Sequence, residues 1–164
     1  MPKNHLKLSG RLKTVAGFIE KGSCVADIGT DHGHIPVYLA QTGLAKRIIA
    51  SDMSAGSLGA ARRTAEKHSV ADKMTFVVAP GLEGICETDV DTIVISGMGG
   101  ETIIGILAAA PWTKRFGINL ILQPQTKIDV LCAWLSDNGY IISNTEYAKD
   151  RGRTYTVFLV GANS

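Results

Sequence analysis

The chain has 164 residues, 45% hydrophobic and 20% charged, with a formal net charge of +2. That length favours one domain, 1–164, with room for a substantial core, and the composition lies far from that of disordered chains. The small net charge does not by itself argue for nucleic acid, and no apolar run approaches the roughly 20 residues of a membrane span.

Residues 1–22 form a lead-in segment, in which "LSGRLKTVAGFIEKG" (8–22) reads as an amphipathic helix. "CVADI" (24–28) is an apolar run broken by one acid, as expected of a strand buried on both faces. "PVYLAQTG" (36–43) follows as a helix, with Pro36 in its first turn and Gly43 at its end. "RIIASD" (47–52) reads as a second strand, and "SAGSLGAARRTAEKHS" (54–69) as a helix with Ser54 as N-cap. "MTFVVA" (74–79), "DTIVIS" (91–96) and "INLILQ" (118–123) are further strands, with helices over 100–110 and 127–139. The last two strands, 140–150 and 153–161, flank a short turn at Gly152 and must pair antiparallel. Five β/α units closed by this hairpin predict an α/β, Rossmann-like, doubly wound sheet, mostly parallel, with an antiparallel C-terminal edge.

In such sheets ligands bind at the carboxyl ends of strands, near the point where strand order reverses. The loop "VADIGTDHGHIP" (25–36) lies there. Asp27, Gly29, Thr30, Asp31 and Gly33 form an acid- and glycine-bearing turn without the Gly-x-Gly-x-x-Gly pattern of dinucleotide sites. Acids repel a pyrophosphate but suit an ammonium or a sulfonium, so the loop favours S-adenosylmethionine over a nicotinamide dinucleotide. Asp52, ending strand two beside Met53, can accept both hydroxyls of a ribose, or cap the following helix, or do both. Gly81 and Leu82, after strand three, belong to a loop that could cover an adenine. "SGMGGE" (96–101) places Ser96, Gly97, Met98, Gly99 and Gly100 where an acceptor would approach, although a phosphate-binding nest or a plain helix start uses the same residues. Gln123 and Gln125 are amides able to read a base edge, or simply part of a turn around Pro124.

His32 and His34 invite a metal reading, but no third ligand has a sensible spacing, so no metal is expected. A Gly-x-Ser-x-Gly elbow is absent, which removes a Ser-His-Asp hydrolase. Cys24, Cys86 and Cys132 make no Cys-x-x-Cys pair and "MPKNHLKLSGRL" has no signal-peptide core, so reduced thiols and a cytoplasmic location are expected.

Taken together, "LSGRLKTVAGFI" (8–19), "VADIGTDHGHIPVYL" (25–39), "VISGMGGETI" (94–103), "LILQPQ" (120–125) and "LCAWLSDNGYII" (131–142) resemble the bacterial tRNA (adenine-22-N1)-methyltransferase family, the TrmK type. The resemblance implies a class I methyltransferase fold, S-adenosylmethionine as donor, and methylation of an adenine in tRNA. It implies that Asp27, Gly29, Asp31 and Gly33 line the cofactor, that Asp52 meets its ribose, and that 96–100 faces the acceptor. Three departures stand out. His34 replaces an aromatic or apolar residue, Gly56-Ser57 stands in place of a Gly-Pro pair, and the sequence stops at Ser164 where the family generally continues into a C-terminal coiled-coil extension, as expected of either a trimmed catalytic domain or a short homologue with a changed RNA interface.

Adenine N1 carries its own lone pair, so attack needs no strong base, but the base becomes cationic. Asp31 is the first candidate to stabilise that charge and His32 the second. Among the cations Lys3, Lys7, Arg11, Lys13, Arg62, Arg63, Lys67, Lys149, Arg151 and Arg153, the N-terminal and hairpin groups, with Lys7, Arg11, Arg151 and Arg153 foremost, are the expected tRNA contacts. A monomer or weak homodimer is expected. The rival readings are a methyltransferase acting on a small molecule or protein, and a non-catalytic S-adenosylmethionine-binding module.

Overall fold

A computed structural model describes residues 5–162, so Lys3 lies outside the described residues. Helix α1 (Gly10–Gly17) is capped by Ser9, whose hydroxyl accepts from the Leu12 N–H. Then come β1 (Ser23–Ile28), α2 (His34–Thr42), β2 (Ala45–Asp52), α3 (Ala55–Lys67), β3 (Thr75–Val78) and β4 (Thr92–Met98). The chain ends with α4 (Gly100–Ala108), β5 (Asn119–Pro124), α5 (Ile128–Asp137), β6 (Tyr140–Asp150) and β7 (Arg153–Ala162).

The seven strands form one sheet in the order β3-β2-β1-β4-β5-β7-β6. β1 pairs parallel with β2 and with β4, β2 with β3, and β4 with β5. β7 pairs antiparallel with β5 and with β6, as the short Gly152 turn requires. β7 enters between β5 and β6, so the edge strand is β6. Strand order reverses between β1 and β4, which opens a crevice at their carboxyl ends.

The continuous apolar strands serve two cores. Ile93 and Ile95 of β4 and Leu120 and Leu122 of β5 pack with Leu107 of α4 and with Leu131 and Leu135 of α5. Val94 and Ile121, the residues between them, pack on the opposite face with Val15, Val37 and Leu39 from α1 and α2. Successive side chains alternate faces, so a strand covered on both sides cannot alternate polar and apolar.

The structure departs from the sequence reading in three places. α1 ends at Gly17, because Phe18 caps it and a turn follows in which the Ser23 N–H donates to the Glu20 carbonyl. α2 starts two residues before Pro36, because left-handed Gly33 (φ 73°) turns the chain and its carbonyl accepts from the Val37 N–H. β4 runs on through Gly97 and Met98, which the sequence reading leaves as loop; Gly97 (φ 79°) forms a bulge that shifts the register against β5. Between β3 and β4, where the sequence reading has a loop, a loop over 79–91 plugs Leu82, Ile85 and Val90 into the core.

Candidate active site

The crevice between β1 and β4 holds a cavity of about 320 Å³. Asp27, Gly29, Thr30 and Asp31 line it from β1 and its loop, Ser96 and Gly97 from β4, and Arg11 from α1. Asp27 is only 6% exposed, and burial raises its pKa from 3.8 to about 7. The Thr30 hydroxyl, donating at 2.9 Å, and the nearby Arg11 charge oppose that rise, while Asp52 adds to it. The loop is pinned to β2: the Gly29 and Thr30 N–H groups donate to the Ser51 carbonyl at 2.9 and 3.0 Å. The Met98 methyl lies where a Cβ at position 29 would be, and the left-handed backbone of Gly29 (φ 70°) strains any side chain there.

Asp52 takes the Asp31 N–H on one carboxylate oxygen at 3.2 Å and the Ser54 N–H on the other at 3.0 Å. Ser54 in turn caps α3 by accepting from the Ser57 N–H. The carboxylate thus ties the first loop to the turn into α3, and each oxygen keeps a lone pair for a further donor.

Arg11, expected among the RNA contacts, points inward. Its backbone N–H donates to the Asp150 carboxylate at 3.4 Å, which docks α1 on the hairpin. Its Nη1 donates to Ser96 Oγ at 2.7 Å and to Gln123 Oε1 at 3.0 Å. Among the described residues, Nε and Nη2 have no acceptor. Gln123, expected to read a base, is fully enclosed (0% exposed). Its Oε1 also accepts from the Gly97 N–H at 3.0 Å, and its Nε2 donates to the Pro124 carbonyl at 3.1 Å. It is a strut that holds both the bulge and the arginine.

Asp31 is held in left-handed backbone (φ 53°), with an exposed carboxylate 3.9 Å from His32 Nε2. The His32 and His34 rings stack with centroids 5.9 Å apart at the cavity mouth. Burial, and then the His32 charge, lower the His34 pKa. Among the described residues, no group of three or more His, Cys, Asp or Glu side chains is placed to hold a metal, and no helix is long and apolar enough to cross a membrane.

The other predicted residues scatter. Gly33 packs against Ala61 of α3, and Met53 is 75% exposed beside Asp52. Gly81 and Leu82 border a second cavity, of about 420 Å³, with Thr102, Ile106 and Trp112, and the Leu82 side chain belongs to the core. Gly99 caps α4, and Gly100 is buried against the loop before α5, its N–H donating to the Thr126 carbonyl at 2.8 Å. A Cβ at Gly100 would stand 2.5 Å from the Lys127 oxygen, so this glycine serves helix packing and leaves no room for an acceptor. Lys7 lies in a separate cleft with Lys67, His68 and Lys73. Arg151 (φ 50°) sits exposed on the β6–β7 turn. Arg153 joins Gln125 and Tyr155 in a cleft of about 280 Å³, and Gln125 lines the main cavity as well. Sequence reasoning missed Tyr155, Asp150 and the inward turn of Arg11. The available signal was the i, i+2 spacing of Arg153 and Tyr155, which places them on one face of β7.

A family model described as "Methyltransferase domain" matches residues 8–158. The tRNA (adenine(22)-N(1))-methyltransferase of Bacillus subtilis (strain 168) is 35% identical over 159 residues, covering 97% of this chain and 67% of the relative. A Streptococcus pneumoniae structure in complex with S-adenosyl-L-methionine superposes with TM-score 0.89 at 34% identity, covering 96% of this chain and 74% of that one. M. capricolum TrmK, in complex with S-adenosyl-homocysteine, superposes with TM-score 0.84 at 29% identity, covering 98% and 70%. With a methyltransferase model spanning nearly all of its length and a relative this similar covered over two thirds, the chain belongs to the tRNA (adenine(22)-N(1))-methyltransferase family.

Proposed function

We propose that this chain transfers a methyl group from S-adenosylmethionine to N1 of adenine 22 in tRNA. The observation that carries the reading is the pairing of Arg11 with Asp27 across a glycine-lined cavity at the β1/β4 crevice. One cation with free donors beside a buried acid complements the carboxylate and ammonium of an amino acid. The cavity also keeps a Cβ away at Gly97, where one would press on Arg11 Nη1 at 3.3 Å. The residues present therefore fit the cofactor. Arg11 would hold its carboxylate, Asp27 and Thr30 would lie by its ammonium, Asp52 would accept from its ribose, and Met53 would offer apolar surface to its adenine.

When bound, S-adenosylmethionine supplies a methyl group on a cationic sulfur, an electrophile for a ring nitrogen. The protein's task is to align the partners and to exclude water. Asp31, exposed at the mouth and fixed by its N–H to Asp52, is the carboxylate available to a base that gains positive charge. His32 lies next to it and shares that field. Arg151 and Arg153, exposed on the hairpin, are the cations offered to phosphates. A tRNA substrate agrees with the cytoplasmic location expected from the sequence.

The test is nucleoside mass spectrometry of a tRNA transcript incubated with the purified chain and labelled S-adenosylmethionine. One labelled 1-methyladenosine at position 22 is the expected product. Cofactor binding without any labelled nucleoside overturns the tRNA reading.

A further inference from the structure

An enzyme that alkylates N1 must leave N1 bare, because N1 lies in the middle of the Watson–Crick edge. Recognition of the adenine is then left to its Hoogsteen edge, where the N6 amine donates and N7 accepts, and to its flat faces. A carboxamide matches that edge with two hydrogen bonds, its oxygen accepting from N6 and its nitrogen donating to N7. Guanine presents two acceptors on the same edge, O6 and N7, and leaves the amide oxygen opposed.

The structure offers one amide in the right place. Gln125 is exposed at the end of β5, its backbone fixed by an N–H donated to the Met98 carbonyl at 2.8 Å. Among the described residues, nothing hydrogen-bonds its side-chain amide, in contrast to Gln123 two residues before it. Among the described residues, Gln125 alone lines both the main cavity and the neighbouring cleft formed with Pro124, Arg153 and Tyr155. That cleft pairs an apolar wall and a half-buried aromatic ring with a cation at its rim. Those are the elements that hold an unstacked base and its phosphate. We infer that the cleft between Pro124–Gln125 and Arg153–Tyr155 receives the target adenine, with the Gln125 amide reading N6 and N7 while N1 faces the cofactor cavity. The inference rests on the tRNA reading above and adds a specificity-determining residue to it.

The test is a cycle between protein and RNA. Wild-type chain and Gln125→Leu are each given a tRNA transcript with adenine at the target position and one with 7-deazaadenine there, which lacks N7 but keeps N1 and N6. The wild type is expected to lose about tenfold in kcat/KM on the 7-deaza transcript. Gln125→Leu is expected to lose about as much on the natural transcript and nothing more on the 7-deaza one. Affinity for S-adenosylhomocysteine, measured by calorimetry, is expected to be equal in the two proteins. A wild type indifferent to 7-deazaadenine, losses that multiply, or a cofactor affinity that falls with the substitution each overturn the inference. A wild type that binds cofactor but methylates neither transcript overturns the tRNA reading on which it rests.

Discussion

Arg11→Gln tests the site most directly. The substitution shortens the side chain and removes its charge. Ser96 and Gln123 each lose a donor, at 2.7 and 3.0 Å, and the cavity loses the two guanidinium nitrogens that have no acceptor among the described residues. A charge-assisted bidentate pair with a carboxylate contributes about 2–3 kcal/mol, which corresponds to roughly 30- to 150-fold in affinity. The assay is calorimetry with two ligands. S-adenosylhomocysteine carries the amino-acid group, whereas 5′-deoxy-5′-methylthioadenosine has the nucleoside and sulfur without it. Arg11→Gln is expected to weaken the first by that factor and to leave the second within about twofold. Equal losses for both ligands would mean that Arg11 only maintains the cavity's shape. No loss for either would remove it from the site and refute the reasoning.

Asp27 makes a pH prediction. Its folded pKa, near 7, is raised above the unfolded value near 3.8, so the native state binds more protons between those values and stability falls as pH rises through the window. The free chain is expected to melt at a progressively lower temperature from about pH 4 to about pH 7, and Asp27→Asn to flatten that slope; an unchanged slope assigns it to other groups. Asp31→Asn keeps the left-handed backbone and removes the charge, so turnover is expected to fall by about 10- to 100-fold while S-adenosylhomocysteine affinity holds. Unchanged turnover excludes Asp31 from the chemistry. In α4, Gly100→Ala drives a Cβ against the Lys127 and Thr126 carbonyl oxygens at 2.5 and 2.8 Å, which neither backbone can yield, and should cost about 1–3 kcal/mol in denaturant melts. Gly105→Ala, with nothing within 4 Å, should instead stabilise by about 0.5–1 kcal/mol. If the two substitutions act alike, the packing account of Gly100 is wrong.

Much of the sheet was legible because its signals are local. The apolar runs of β1, β4 and β5 are long enough to mark strands covered on both faces, and the Gly152 turn leaves no space for a crossover helix. Asp27 and the loop after it were legible for the same reason, since an acid at a strand end followed by glycines lies within a few residues. Gly100 misled because glycine serves close packing and ligand approach equally well, and only its neighbours, the Thr126 and Lys127 carbonyls, distinguish the two. Gln123 and Gln125 have the same side chain and adjoin the same proline. One is enclosed by Arg11 and the Gly97 bulge, and the other is left open.

Local sequence accounts for the order of strands and helices along the chain, the crossover to an antiparallel hairpin, the acidic loop after β1 and the motifs that resemble a methyltransferase family. Each of these depends on residues close together in the chain. Long-range packing brings Arg11 into the cavity, sets Asp52 as a brace on the loop it adjoins, and places Gln125 across a cleft from Tyr155. Those pairs are far apart in sequence. They meet because β1 pairs with β2 on one side and with β4 on the other, because α1 docks on the hairpin through Asp150, and because β7 inserts beside β5, long-range pairings that no local pattern encodes.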